Sequence, residues 1–410
     1  MIIQFSIANY LSFKEPATLS LAATSLRELE ADGNGASFEL DGINLKLLKS
    51  AVVFGANASG KSNLIKALHF FKDFVFNSFK ALQSDEKISV EPYRLNSVSA
   101  KEPSMMEMVM AVEGSIFRYG FEVTQTAVCK EWLYKKACKP RSKEIELFYR
   151  ENGLFNVHAK YSQAKELVNK KMIWNNALLL STLAQFNDPT AVSLTRWLGE
   201  TQCLSDQDET NIWKGALKHL DDPNMRRRIV AFSQFADLGL DDIEKVNNRL
   251  VSTHALFDND GNKTGDVSFP FEVNESEGTL KYFAFAFSIL HALDTGTRLI
   301  IDELGAKLHP TLLEHIVGLF NNAITNPRNA QLIFTTHDTN LLTSHLFRRD
   351  QIWFTQKDIY GASRIFSLAE YKVRSNAPFE RDYLLGKFGA TPIIGNPNYA
   401  LLSTKDDIER

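Results

Sequence analysis

Cysteine is scarce: Cys129, Cys138 and Cys203 are the only three in 410 residues. An odd count without CxxC spacing excludes a disulfide scaffold and a structural zinc site, and it fits a reducing, cytoplasmic setting. Long hydrophobic runs are missing too. The longest candidate, 283–293, falls short of the ~18 to 20 residues a membrane helix needs and contains Ser288 and His291. No membrane association is expected. The opening MIIQFSIANY lacks the basic region and small-residue cleavage site of a signal peptide. Neither sign of charge dominates. Against 46 Lys and Arg stand 49 Asp and Glu, a net charge of −3, which excludes a globally basic nucleic-acid binder but leaves a local basic patch open. Repeats and low-complexity tracts are absent, which excludes solenoids, propellers and disordered chains. What is present is 44% apolar residues, including 29 Phe. That suffices for a sizeable core, and the length suggests two or three lobes.

The N-terminus alternates, with Ile3, Phe5 and Ile7 on one strand face and Leu11 and Phe13 continuing the phase. Residues 51–54 are apolar on both faces, as in a buried parallel strand. They run into Gly55-Ala56-Asn57-Ala58-Ser59-Gly60-Lys61-Ser62, and a helix follows with Leu64, Leu68, Phe71 and Val75 at helical spacing. We assign 1–87 to an N-terminal lobe. Residues 88–160 read as an antiparallel β subdomain, with turns at Glu113-Gly114 and Asn152-Gly153. Residues 161–247 read as a helical insertion, with apolar-rich helices at 178–186 and 229–238. Residues 248–410 form a C-terminal lobe: helix 280–293, strand 298–302, helix 310–324, strand 331–335 and a hairpin of 352–354 with 363–366. The expected class is α/β, a mixed, largely parallel sheet core carrying the antiparallel subdomain and the insertion.

Four motifs carry chemistry. Gly55 to Ser62 is a complete GxxxxGKS between a buried strand and a helix, the context a P-loop needs. Its glycines let backbone N–H groups cradle phosphate oxygens, and the helix N-terminus adds partial positive charge. The expected nucleotide contacts are Gly55, Asn57, Ala58, Ser59, Gly60, Lys61, Ser62 and Asn63. Lys61 is expected at the β- and γ-phosphates, and Ser62 on Mg²⁺. The second motif, Arg298 to Glu303, is a buried strand ending in two carboxylates. Asp302 would hold Mg²⁺ and Glu303 would deprotonate the attacking water. In the third, Thr335-Thr336-His337-Asp338, His337 stands at a strand's C-terminal edge, where α/β sheets bind ligands, and would reach the γ-phosphate. The fourth, Ser276-Glu277-Gly278-Thr279, opens a helix. Its residues read equally as an anion site or a plain helix cap.

Together these pieces resemble the ABC-type P-loop ATPases of the SMC, RecF and OLD branch. Ile7-Ala8-Asn9-Tyr10-Leu11-Ser12-Phe13 is similar to that branch's N-terminal strand motif, and Leu308-His309-Pro310 to its D-loop. The closer resemblance is to compact bacterial abortive-infection ATPases of the AbiLii and RloA group. It is carried by 275–279, by 350–354 and by the run Tyr383 to Pro392, and it is weak between about 160 and 245. The resemblance implies an ATP-sandwich homodimer or a higher oligomer, with Ser276 and Gly278 of one copy capping nucleotide on the other. It further implies an antiphage role with a separately encoded effector, such as a nuclease. Gln83 is the candidate Q-loop residue. A DNA-repair ATPase of the SMC or RecF kind, or a nucleotide-binding scaffold with little turnover, are the alternatives. The first normally carries a long coiled coil or a basic groove, neither of which is visible.

Other features read more plainly. Asp258 to Asn262 hints at a calcium loop, but Lys263 stands at the sixth position, where such a loop needs Gly, and a hairpin turn is expected. Lys130, Lys135, Lys136, Lys139, Arg141 and Lys143 are expected to form a solvated strand face, with nucleic-acid contact as the alternative. Arg226 to Arg228 is expected to be an exposed helical patch, with DNA contact as the alternative, and Met105, Met106, Met108 and Met110 are expected in core packing or partner contact.

Overall fold

The computed structural model describes residues 1–26, 35–81, 86–205, 209–237, 239–247, 249–343, 345–374 and 377–392. Strands β1 (Ile2–Ala8) and β2 (Ala17–Ser20) open the chain. A small pair, β3 (Ser37–Glu39) and β4 (Lys46–Leu48), precedes the wholly buried β5 (Ser50–Phe54), from which α1 (Lys61–Ala81) departs. Five strands then follow as hairpins: β6 (Ser104–Val112), β7 (Ser115–Val123), β8 (Val128–Ala137), β9 (Ile145–Glu151) and β10 (Leu154–Val157). Glu113 and Gly114, at φ 46° and 70°, and Asn152 and Gly153, at 49° and 79°, supply the paired left-handed residues of tight hairpin turns.

These strands join β1 and β2 in one antiparallel sheet of order β10-β9-β8-β7-β6-β1-β2. It crosses the boundary expected at residue 88, because β1 pairs with β6 rather than with β5, and residues 88–103 contain no strand. A register shift between Ile2 and Gln4 also changes the phase of β1. Ile2, Phe5 and Ile7 enter the main core, while Ile3 packs with Leu47 and Ala111.

Next come α2 (Ser162–Asn169), α3 (Leu179–Gln185), α4 (Pro189–Gly199), β11 (Gln202–Leu204), α5 (Glu209–His219), α6 (Pro223–Ser233) and β12 (Leu240–Val246). Asp188 and Asp222 cap α4 and α6 through side-chain oxygens, each with Pro at the first helical position. The helix expected at 229–238 thus starts earlier and ends at Ser233; Leu238 lies outside the described residues. With β12, β13 (Arg249–Phe257) and β14 (Lys263–Pro270) form a three-stranded antiparallel sheet. The β13–β14 turn is closed by Asp258 Oδ1, which accepts N–H bonds from Asp260 and Asn262.

The chain ends with α7 (Phe271–Asn274), α8 (Glu277–Thr295), β15 (Arg298–Ile301), α9 (Pro310–Asn321), β16 (Gln331–Thr335), β17 (Ile352–Lys357), β18 (Ser363–Ser367) and α10 (Phe379–Leu384). Helices α3 and α4 pack on α1, and α5 and α6 on α8, so the helical stretch is shared between two cores. The second sheet has the order β11-β15-β16-β5-β17-β18, parallel except for edge strand β18. Strand β16 lies between β5 and β15, so three motif-bearing strands end side by side. Gln331 ties the two large sheets together: it accepts from Ile2 N (2.7 Å) and donates to the carbonyls of Ile2 (3.0 Å) and Leu48 (3.1 Å). The fold is mixed α/β, with a largely parallel core sheet.

Candidate nucleotide site

The loop after β5 turns on backbone that L residues avoid, with φ of 155° at Gly55, 60° at Ala58 and 115° at Gly60. A Cβ on Gly55 would lie 2.5 Å from the Thr355 carbonyl, and one on Gly60 would lie 2.5 Å from Ser363 Oγ, so both positions require glycine. Its surroundings pin the loop. Ser59 Oγ and Thr355 Oγ1 share a 2.7 Å hydrogen bond. Ser363 Oγ donates to Ser59 O (2.7 Å), Asn63 Nδ2 to Ser12 Oγ (2.7 Å), and Ala56 N to Ala390 O (2.9 Å). Asn57 and Ala58 form the exposed crest. Lys61 is buried at 4% exposure, and its Nζ donates to the carbonyls of Gly55 (2.8 Å) and Ala56 (3.1 Å). Burial pulls its pKa down to about 8, against the opposing charges of Glu303 and Asp302.

On the acidic side, one hydroxyl organises both carboxylate residues. Thr335 Oγ1, at the end of β16, donates to Asp302 Oδ1 (2.6 Å) and accepts from the Glu303 N–H (2.8 Å). Glu303 has φ 55°, a conformation costing a non-glycine residue about 1–3 kcal/mol and found where surroundings over-determine it. Glu303 Oε1 stands 3.8 Å from His337 Nε2. Burial and the Lys61 charge push the His337 pKa down, more than Glu303 raises it, so the imidazole is neutral at pH 7. Ser62, Asp302 and Glu303 line one cleft of about 710 Å³, floored by Ile65, Phe70 and Phe74 of α1. Among the described residues no group of three or more His, Cys, Asp or Glu could hold a metal. The Ser62 hydroxyl and Asp302 carboxylate are instead the sparse oxygen set that suits Mg²⁺ retaining several waters.

The structure therefore brings together Lys61, Ser62, Asp302, Glu303 and His337. Among the described residues no hydrogen bond or ion pair joins Ser276 or Gly278 to them. Ser276 Oγ accepts from Thr279 N (3.1 Å) as the cap of α8, and a Cβ on Gly278 would lie 3.2 Å from Lys307 O, past the acidic pair. Gln83 lies outside the described residues. Sequence reading missed Thr335, Thr355, Ser363 and Ala390 as supports. Thr335 opened the His337 motif and Ala390 sat in the C-terminal run, so both lay in segments already marked. Among the basic residues, Arg226 pairs with Asp242 and Glu244, Arg228 with Asp294, and Lys130 with Glu122.

A family model described as "AAA domain, putative AbiEii toxin, Type IV TA system" matches residues 50–343. Among solved structures, the SMC head domain from Thermotoga maritima is 12% identical over 89% of this chain and 98% of that one, with a TM-score of 0.43. An SMC head bound to the C-winged helix domain of ScpA is 13% identical over 89% and 97%, with a TM-score of 0.37. The recombination mediator RecF, in its RecF-ATPrS structure, is 11% identical over 89% and 98%, with a TM-score of 0.32. These scores are too low to carry the assignment, which rests on the family model and the chain's own geometry. No curated protein matches the chain. Among the described residues no helix is long and apolar enough to cross a membrane.

Proposed function

The chain belongs to the family described as an AAA domain, putative AbiEii toxin of a Type IV TA system, and on that premise we propose that it is an ABC-type ATPase that binds and hydrolyses ATP at the site built by Lys61, Ser62, Asp302, Glu303 and His337. The observation that carries the reading is the Thr335 hydroxyl, which fixes both Asp302 and Glu303, the two carboxylates whose charge acts on the buried Lys61 ammonium. Loop N–H groups of Gly55 and of Asn57 to Asn63, together with the Lys61 ammonium, hold the phosphates. Ser62 and Asp302 are the residues that would hold Mg²⁺, which neutralises phosphate charge when bound. Glu303 takes a proton from water as the water oxygen attacks the γ-phosphorus. The bond to the β,γ-bridging oxygen breaks, leaving ADP and phosphate. Neutral His337 offers a hydrogen bond at the γ-phosphate side.

Ser276 and Gly278 act on the nucleotide of a second copy, a role consistent with the exposure of Ser276 and the half-buried position of Gly278 at the start of α8. In the cell, hydrolysis gates a separately encoded effector of a cytoplasmic antiphage system, such as a nuclease. The family's description as a toxin–antitoxin component supports that setting. Steady-state ATPase rates of the wild type and of Glu303→Gln test the reading. Measurable wild-type turnover, lost in the variant while ATP binding persists, is the expected result. No turnover in the wild type would leave a nucleotide-binding scaffold.

A further inference from the structure

We propose that Glu275 is a positioning residue for the turn carrying Ser276 and Gly278, and that through it the β12–β14 sheet sets how that turn is presented to a second copy of the chain. This rests on the reading of Ser276 and Gly278 as a clamp acting across a dimer.

Glu275 stands immediately before Ser276, between α7 and α8. Its side chain is 5% exposed, a burial carboxylates adopt only when paired. One oxygen, Oε1, accepts from Ser252 Oγ at 2.5 Å and from His254 Nε2 at 2.8 Å. Both donors lie on β13, two residues apart and hence on one face of the strand. Ser252 is fully buried, and the His254 ring leans on Phe269 of β14 with centroids 5.7 Å apart. Ser276 and Glu277, by contrast, are exposed. A turn that exposes Ser276 and leaves Gly278 half-buried is thus held from behind by a buried carboxylate.

Capping α8 requires none of this, since Ser276 Oγ already accepts the Thr279 N–H. The far side of the turn rests on the loop that follows the acidic pair: Gly278 lies against Lys307 O, and Glu277 pairs with Lys307 Nζ at 3.4 Å. The turn is therefore set between β13 and that loop. Hydrogen bonds to a carboxylate are directional and strong, so a shift of β13 is passed to the residue next to Ser276, where a purely apolar contact would slip.

Glu275→Ala removes the acceptor, whereas Glu275→Gln keeps an oxygen for both donors. The Ala variant is expected to bind ATP at its own P-loop with wild-type affinity yet lose roughly tenfold or more in kcat, as a displaced binding group does. The Gln variant should recover most of the rate. Mixed with Lys61→Ala subunits, which lack a working P-loop but keep an intact turn, Glu275→Ala subunits should regain activity in the heterodimer. A parallel mixture of Gly278→Glu with Lys61→Ala isolates the premise: if it stays inactive where heterodimers form, the clamp itself is wrong. If that control recovers and the Glu275→Ala mixture does not, or if Glu275→Ala alone turns over like wild type, the positioning role is overturned. Should Glu275→Ala fail to fold, Ser252→Ala removes one donor and leaves the His254 bond. It should show a smaller loss of kcat at unchanged ATP affinity, and wild-type kcat in it would equally overturn the role.

Discussion

A buried ammonium is tolerated at Lys61 because two loop carbonyls accept its protons and two carboxylates stand nearby. Removing it should abolish turnover. Lys61→Ala is expected to lower the ATPase rate by more than about 10²-fold, as loss of one preorganised cationic or hydrogen-bonding group does. Wild-type activity in that variant would sink the P-loop assignment. The depressed pKa also fixes a pH dependence. The charge is lost as pH rises through about 8, so ATP affinity should weaken above that value by up to about tenfold per pH unit. Stability runs the other way. Between about 8 and the ordinary 10.5 the unfolded chain keeps a proton that the folded chain has released, so this group's contribution to stability rises with pH. ATP titrations at pH 7 and 9 check the first trend, and an affinity unchanged across them would remove the charged contact. Glu303→Gln keeps the shape of the acid and loses its basicity. It is expected to bind ATP, hydrolyse it about 10² to 10⁴ times more slowly and accumulate the closed dimer on gel filtration. Normal hydrolysis, or a monomer in ATP, would show that Glu303 is not the base.

At the scale of elements, the C-terminal run acts as a strap on the phosphate loop. Ala390 O accepts from both Ala56 N and the Tyr383 hydroxyl, and Phe388 packs on Phe354 of β17. Gly389 and Ala390 have φ of 68° and 60°, and a Cβ on Gly389 would lie 3.0 Å from Gln356 Oε1. Gly389→Val places a β-branched residue in the left-handed region, at about 1–2 kcal/mol. We expect a modest fall in Tm and a rise in KM for ATP; an unchanged KM would show that the strap does not position the loop. Long, strongly patterned elements were legible in the sequence: β16 falls at 331–335 as read, and α1 follows the glycine loop. What periodicity cannot convey is pairing between distant segments. Nothing local to Ile2–Ala8 says that β1 joins β6 across about a hundred residues, or that a bulge sends Ile3 to the other side. Side-chain supports such as Thr355 and Ser363 were invisible for the same reason, because each meets the phosphate loop only through tertiary contact.

For the whole molecule, the decisive question is whether the site is completed by a second copy. Within one chain Ser276 caps α8 and makes no hydrogen bond to Lys61, Asp302, Glu303 or His337, so a purely local role and a clamp across a dimer predict different behaviour in mixtures. Gly278→Glu would bring a carboxylate to the partner's γ-phosphate. Two like charges about 4 Å apart repel by about 4 kcal/mol at an effective dielectric near 20, enough to block closure. Within its own chain the change is milder. Gly278 is not at positive φ, and its Cβ at 3.2 Å from Lys307 O asks for a shift of a few tenths of an ångström. Gly278→Glu should therefore fold and bind ATP at its own P-loop with near-wild-type affinity, yet hydrolyse none. Lys61→Ala has the opposite defect. Mixed in equal amounts, the two give heterodimers with one composite site made of a working P-loop and a working clamp. ATPase activity should return in part, rising with the fraction of heterodimer measured by native mass spectrometry. If activity stays absent while heterodimers are plainly present, Ser276 and Gly278 do no more than begin a helix, and the catalytic unit is the single chain.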